Sequence, residues 1–384
     1  MITVVAVGVM AVIFAYLARI KKLRFCLKIS FFIIFLFLAL RYNYGSDYNN
    51  YLDMFLEINQ LNMGFESIKD IWMNSMLFNI FLPGNNEMQM GVLAIEPGWF
   101  ILCLLFRPLG FFAMIAFLAL FNCIVYYYFI KKYVPSAYYW LAVFLYVFTP
   151  SMMLIQSSAM RQSVAISIFL LSINYIYKKD FLRYALLIFL ATLFHFSAII
   201  LLPVYLLSML RFKTNTPIAI GVFLLFLTLF LLQGLLSQIV SFFIGSFFPK
   251  YEIYQEAGTL GSRLGIAFNA LIMFLILIFD RYQNDEVSSR FKIAILGKFI
   301  TPFTFIMMMG RLYFYFDPNL FAVYPYILIK ADKVLPEYPF LFKYVFVLAL
   351  ISSTLFLFWD FFNPDTWTAS FITYNTIFSS PTIY

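Results

Sequence analysis

Arg41, Asp47, Arg161, His195, Arg263 and Arg311 stand out in a chain that is otherwise largely apolar. Two of the arginines sit where helices begin. "SSAMRQSVAISIFLL" (157–171) opens a helix beside Arg161, and "GTLGSRLG" (258–265) repeats the device, with Ser262 as a cap and Arg263 in the first turn. A helix start presents unpaired N–H groups and the positive end of the dipole, so an arginine there makes a site for an anion. Two such starts suit a phosphate better than a carboxylate. In "MMMGRLYFYFDP" (307–318), Arg311 is followed by Tyr313, Tyr315 and Asp317. A planar guanidinium grips a phosphate with two nitrogens, and aromatic faces stack on sugar rings. The single histidine, His195 in "FLATLFHFSAIILLP" (188–203), falls at a turn between two apolar runs. An imidazole there can act as a general base near neutral pH or donate to a phosphate or sugar hydroxyl. "LALRYNYGSDYNNYLDMF" (38–55) adds Arg41 and Asp47 with Tyr42, Tyr44, Tyr48 and Tyr51, and Gly45 permits a sharp turn. Plainer readings stand beside each of these: arginines snorkelling to headgroups, an Arg311–Asp317 ion pair, a histidine bonded to a backbone carbonyl, an interfacial tyrosine belt.

The composition names the scaffold that must hold these side chains. The chain has 384 residues, 64% hydrophobic and 22% aromatic, with 11% charged, against about 25% charged in soluble domains. Apolar runs long enough to cross about 30 Å of hydrocarbon as helices recur from end to end. They predict an all-α polytopic membrane protein, a single multi-span domain over 1–384. Twelve spans are expected, near 2–18, 25–40, 110–130, 138–156, 160–177, 182–197, 198–210, 217–235, 264–279, 291–310, 318–330 and 340–358. The first run is expected to stay in place, since it has neither a basic leader before it nor an Ala-x-Ala site after it. The segment 96–110 has too short an apolar core between Pro97 and Arg107 to span, so it is expected to be re-entrant or interfacial.

Basic clusters at 19–24, 131–132, 178–183, 211–213, 280–292 and 330–333 are expected to be cytoplasmic, which puts both termini outside. With each span divided at its midpoint, 19 of the 26 Lys and Arg fall on the inner side and 12 of the 18 Asp and Glu on the outer. Against that separation, Arg41, Arg161, Arg263 and Arg311 are outer-face cations at or just inside helix ends, with His195 at the same level. The longest outer segments, 41–95 and 236–262, are expected to form a cap over an outward cavity.

What is missing narrows the chemistry. Cys26, Cys103 and Cys123 lie in apolar segments without paired spacing, which predicts neither a disulfide nor a zinc site. No Gly-rich phosphate loop, Asp-x-Asp pair or His/Cys metal spacing occurs. Cytosolic nucleotide-sugar chemistry is therefore not expected, nor is a metal or a cofactor. The net charge of +8 is scattered in short clusters between spans and forms no stripe for nucleic acid.

In order along the chain, these residues resemble the motifs of the EpsG family, part of the broader Wzy-type group of bacterial polysaccharide polymerases. The likeness rests on Arg-x-x-x-Gly-x-Asp-Tyr-x-x-Tyr at Arg41, Gly45, Asp47, Tyr48 and Tyr51, Glu-Pro at Glu96 and Pro97, and Arg-Gln at Arg161 and Gln162. It continues with Phe-His-x-Ser-Ala at Phe194 to Ala198 and Arg-Leu-x-x-Tyr-Phe at Arg311 to Phe316. It runs from about 38 to 330, and the segment 56–94 is longer than the family leads one to expect, as a substrate-specific insertion would be. The resemblance implies a glycosyltransferase that joins undecaprenyl-pyrophosphate-linked oligosaccharide repeats on the outer face of the bacterial cytoplasmic membrane, for exopolysaccharide, capsule or O-antigen, and the lack of a ligand cluster makes it metal-independent. It implies catalytic roles for Asp47, Arg161, His195 and Arg311. Substrate contacts would come from Arg41, Tyr48, Tyr51, Gln162, Arg263, Tyr313 and Tyr315. Partners would be membrane lipids and the chain-length regulator and flippase of the same pathway.

Two other classes share parts of this pattern. A lipid-linked oligosaccharide flippase or transporter should place polar groups near the midplane and on both faces. Here they gather at the outer face, with Lys298 the main exception. An O-antigen ligase would use the same donor and the same arginine logic, whereas an O-acyltransferase needs access to an acyl donor that is usually cytosolic.

Overall fold

The computed structural model describes residues 1–60, 95–208, 216–247, 263–304, 307–362 and 367–379. Among them the chain is all-α apart from one pair of two-residue strands. That is the outcome hydrocarbon demands, because there each backbone N–H and C=O must find its partner within its own segment. The chain divides into two compact units, one of residues 1–175, 180–202 and 349–384 and one of residues 176–179 and 203–348.

The first unit contains α1 (Ile2–Leu17), α2 (Cys26–Ala39), α3 (Tyr48–Gln60), α4 (Pro97–Phe106), α5 (Phe111–Tyr133), α6 (Tyr139–Phe148), α7 (Ile155–Ser158), α8 (Met160–Tyr177) and α9 (Phe181–Thr192), then the start of a 3-10 helix, Phe196–Ser208. Helix α1 packs on α2 and α6, α2 packs on α5, and α4 packs on α3 and α5. Helix α3 buries Tyr48, Tyr51, Phe55 and Ile58 at helical spacing and exposes Asn49, Asn50, Asp53 and Glu57, so a single apolar stripe docks it.

The end of the chain closes on the start of this unit. Strand β1 (Arg41–Tyr42) pairs antiparallel with β2 (Asn375–Thr376), Arg41 opposite Thr376. Tyr374 stacks on Phe37 at 4.5 Å and donates its hydroxyl to the Phe37 carbonyl at 2.7 Å. Phe371 is buried against Tyr44. The Met1 amino nitrogen reaches the Ile372 carbonyl at 2.8 Å, so residue 1, the 41–47 loop and this tail share one end of the unit.

The second unit contains α10 (Thr216–Leu231), α11 (Gln233–Phe247), α12 (Arg263–Asp280), α13 (Asp285–Ile300), α14 (Met307–Phe316) and α15 (Leu320–Val334). Phe226, Phe230, Met273 and Leu277 form a core between α10 and α12. Asn284 caps α13 by accepting from the Val287 N–H at 2.9 Å, with Asp285 and Glu286 in the first turn facing the dipole. The turn Asp317–Asn319 separates α14 from α15 and packs on α13. Helix α16 (Pro339–Phe361) contributes residues to both units.

Helices α5 and α16 are each long and apolar enough to cross a membrane, and 217–231 with 233–239, bent by 64°, qualify together as a broken span. Helix α16 exposes Phe340, Tyr344, Phe356 and Trp359 along its length, the surface of a helix that faces lipid. The protein is an integral membrane protein.

Several expected spans take other forms, and prolines explain most of them. The run at 138–156 is an α-helix only to Phe148, because Pro150 biases Thr149 to extended backbone. The run at 198–210 winds as a 3-10 helix around Pro203, which lacks an N–H and crowds the preceding turn. The run at 291–310 begins earlier, at Asp285, and its α-helix stops at Ile300, just before Thr301 and Pro302. The outer loop expected at 236–262 is helical through Phe247. Residues 248–262, and 61–94 of the other expected cap segment, lie outside the described residues. Helix α4, inside 96–110, has ten residues, about 15 Å of helix.

Candidate active site

Glu96 stands where α4 begins, and the two residues after it explain where it sits. Pro97 takes the first helical position, where a missing N–H is no loss. Gly98 gives its N–H to the Leu193 carbonyl at 2.8 Å. A β-carbon at Gly98 would meet that oxygen at 2.8 Å, so glycine is what lets the head of α4 close on the end of α9.

That approach sets Glu96 between two other side chains. His195 Nδ1 lies 3.3 Å from Glu96 Oε1, and Arg161 Nη1 donates to Glu96 Oε2. Arg161 is the second residue of α8. The Tyr51 side chain of α3 hydrogen-bonds Arg161, with its ring centroid 5.7 Å from the guanidinium carbon. Trp99 packs on Tyr51 at 5.0 Å and closes the floor. The Glu96 residue is 8% exposed, while the Arg161 and His195 side chains keep 25% and 23% of their surface. The carboxylate therefore lies beneath two groups that can still be reached. Burial alone would push the Glu96 carboxyl up, but the His195 hydrogen bond and the Arg161 charge outweigh it and hold the carboxyl below its ordinary value.

The 41–47 loop is fixed to the residues just ahead of Arg161. Gly45 has φ +112°, and a β-carbon there would meet the Ser157 carbonyl oxygen at 2.5 Å. The Asp47 N–H donates to Ser158 Oγ at 3.3 Å, the Ser158 hydroxyl donates to Asp47 Oδ2 at 3.3 Å, and Ser46 Oγ also meets Ser158 Oγ. One junction, 157–161, thus positions both Asp47 and Arg161.

Three other candidates in this unit are turned inward. Arg41 is 2% exposed and gives Nη1 to the Leu38 carbonyl, one of the carbonyls that the end of α2 leaves unpaired. Burial lowers its guanidinium to about 10. Beside it a cavity of about 10 Å³ is lined by Arg41, Asn122, Gln156 and Ser163 among apolar neighbours, room for a single water and no more. Tyr48 and Gln162 are buried.

In the second unit, Arg263 opens α12 and Arg311 is exposed on α14. Tyr315 is fully buried. The Tyr313 hydroxyl donates to Asp317 Oδ1 at 3.0 Å and accepts from Lys298 Nζ at 3.1 Å, and Lys298 also donates to Asn269 Oδ1 at 3.0 Å. Lys298 and Asp317 are both buried. Asn319, two residues on, is fully buried, and its two amide atoms have no hydrogen-bond partner among the described residues.

Of the residues the sequence singled out, Arg161, His195 and Tyr51 come together, with Asp47 at the adjoining junction. Glu96 was missing from the candidates even though its dipeptide belongs to the motif set. A signal was available: Glu96 is the only acid between Glu87 and Asp180. In a membrane chain an isolated acid at the head of an apolar segment is a site candidate in its own right.

The family model for EpsG matches residues 24–376. The chain belongs to the EpsG family. EpsG is a Wzy-like polysaccharide polymerase family, which gives this chain a polymerase role of the glycosyltransferase kind. The EpsG match takes in the described site residues of both units and ends at Thr376, so it includes strand β2 that closes on Arg41. Comparison with curated proteins and with solved structures yields no match.

Proposed function

We propose that this EpsG chain joins undecaprenyl-pyrophosphate-linked oligosaccharide repeats on the outer face of the bacterial cytoplasmic membrane. The observation that carries the reading is the convergence of Arg161 and His195 on Glu96, a cation beside a base in a polysaccharide polymerase family. The hydroxyl of the acceptor repeat attacks the anomeric carbon of the donor chain. The bond from that carbon to the pyrophosphate breaks, and its electron pair leaves on the phosphate oxygen. Arg161 stabilises the charge that develops there. Holding two lipid carriers together supplies the proximity. Asp47 is assigned to the sugars, whereas the buried Arg41, Tyr48, Tyr51 and Gln162 would act by shaping the site.

In this reading the chain crosses twelve times with both termini outside. Support comes from Met1 lying against Ile372, and from the basic turn at Lys21–Leu23 and the basic pair Lys131 and Lys132, which sit at the ends of α2 and α5 opposite Arg41 and Phe111. A cysteine at exposed Lys178 should then escape a membrane-impermeant label applied to intact cells.

Deleting the gene tests the reaction. Single lipid-linked repeats should accumulate on the outer face while long chains disappear, and the intact gene should restore them. Repeats trapped on the inner face would indicate transport, and finished polymer left on its lipid carrier would indicate a ligase.

A further inference from the structure

The polymerase reading leaves Glu96 without a part, yet Glu96 is the residue on which the site converges. We propose that Glu96 is the positioning residue that holds His195 with its proton on Nδ1, so that Nε2 is the atom that takes the proton from the acceptor hydroxyl. The inference rests on the polymerase reading and adds a specific base to it.

An ionised carboxylate only accepts hydrogen bonds, so the ring nitrogen facing Glu96 Oε1 at 3.3 Å must be the one that carries hydrogen. A neutral imidazole has one N–H, so Nε2 keeps its lone pair. The other carboxylate oxygen is taken by Arg161, which fixes the plane of the carboxylate and keeps it charged. With both oxygens engaged beneath its neighbours, Glu96 is poorly placed to attack a sugar carbon or collect a proton itself. The His195 side chain, about a quarter exposed, can do so. Its backbone is pinned by the His195 N–H to Ala191 carbonyl bond at 3.0 Å, so the ring has a fixed origin.

The step balances on these atoms. The acceptor O–H proton passes to Nε2 as the oxygen bonds to the anomeric carbon. The carbon–phosphate oxygen bond breaks, and its electron pair goes to the pyrophosphate. The imidazolium formed lies against the Glu96 carboxylate and returns its proton to water at the outer face.

The experiment uses the purified full chain and lipid-linked repeats, with Glu96→Gln, Glu96→Asp, His195→Asn and the double variant Glu96→Gln/His195→Asn. Glutamine keeps the size and loses the charge, while aspartate keeps the charge and withdraws the oxygen from Nδ1. Both should lower kcat by about 10²-fold or more, because a histidine without its orienting carboxylate is no longer held in the working tautomer, with the donor KM within about twofold of wild type. The double variant should be no slower than His195→Asn alone, because residues acting as a unit are not additive. The inference fails if folded Glu96→Asp or Glu96→Gln elongates at the wild-type rate, or if the loss in the double variant equals the product of the single losses. A rise in donor KM with kcat unchanged would instead assign Glu96 to holding Arg161 for the donor. If the wild-type chain itself cannot elongate lipid-linked repeats, it is the polymerase reading that falls.

Discussion

Gly98 and Leu193 are separated only by a hydrogen bond: the Gly98 N–H meets the Leu193 carbonyl at 2.8 Å, and a β-carbon on Gly98 would stand 2.8 Å from the same oxygen. Any side chain at Gly98 must therefore push the head of α4 from the end of α9, and with it Glu96 from His195. Gly98→Ala should slow elongation at least about tenfold while costing about 1–3 kcal/mol of stability, the usual range for an overpacked contact. Gly221→Ala, at a helical glycine with open space around it, is the control and should leave the rate unchanged and the melting temperature the same or slightly higher. Equal activity of folded Gly98→Ala and wild type would show that the approach of α4 to α9 is not needed.

Glu96 also ties stability to pH. Its carboxyl lies below the ordinary value in the folded chain, held there by His195 and Arg161 against the effect of burial. Its stabilisation is complete above the unfolded carboxyl value of about 4.3 and is lost as pH falls through the lower folded value. The melting temperature of wild type should exceed that of Glu96→Gln most at about pH 6 to 7, and the gap should close as the pH is taken toward about 3. A gap that stays constant over that range would mean that folding does not lower the Glu96 carboxyl, and one that widens toward low pH would mean that Glu96 is protonated in the fold.

Helix positions were legible because apolar runs read the same way in sequence and in hydrocarbon: α1, α2, α5, α8 and α16 begin and end within a few residues of the expected spans. Their interruptions were less so. Pro150, Pro203 and Pro302 are visible in the sequence, but whether a proline bends a span or ends it depends on which neighbours supply the lost hydrogen bond. The site was legible as residue types and not as an arrangement. Glu96 meets Arg161 across 65 residues and His195 across 99, and strand β1 meets β2 across more than 330, separations that no local pattern encodes. Tyr315 illustrates a second limit. In "RLYFYF" Arg311 and Tyr315 stand four residues apart on one face of the helix, so periodicity cannot tell that Tyr315 is buried while Arg311 is exposed.

Lys298 shows what such a buried arrangement requires. Its ammonium is held by Asn269 and Tyr313, and Tyr313 in turn donates to Asp317, so the lysine and aspartate are joined through one phenol. Removing the cation alone leaves a buried carboxylate without its counter-charge, which costs about 3 kcal/mol or more. Lys298→Met should lower the melting temperature of the detergent-solubilised protein clearly, and Lys298→Met/Asp317→Asn should recover part of the loss. A double variant less stable than Lys298→Met would show that the two charges do not compensate each other.

Arg161 carries the sharpest test of the donor site, because one of its nitrogens is already committed to Glu96. A guanidinium can hold that carboxylate and still direct other N–H groups at a pyrophosphate, with the start of α8 adding its dipole to the pull on the anion. Lysine keeps the charge but concentrates it on one nitrogen, which cannot serve the carboxylate and the phosphate in the same geometry. If the phosphate contact strengthens as the glycosidic bond breaks, Arg161→Lys should lower turnover by a factor on the order of 10² or more, equivalent to about 2.7 kcal/mol of lost transition-state stabilisation. Lys178→Ala, a surface control, should not change the rate. Membrane insertion and expression should stay near normal, since a side chain that keeps its positive charge still suits a helix end at the interface. Rate and chain length would be measured on purified lipid-linked repeats. A folded Arg161→Lys variant that polymerises at the wild-type rate would reduce this cation to a membrane anchor and end the pyrophosphate assignment.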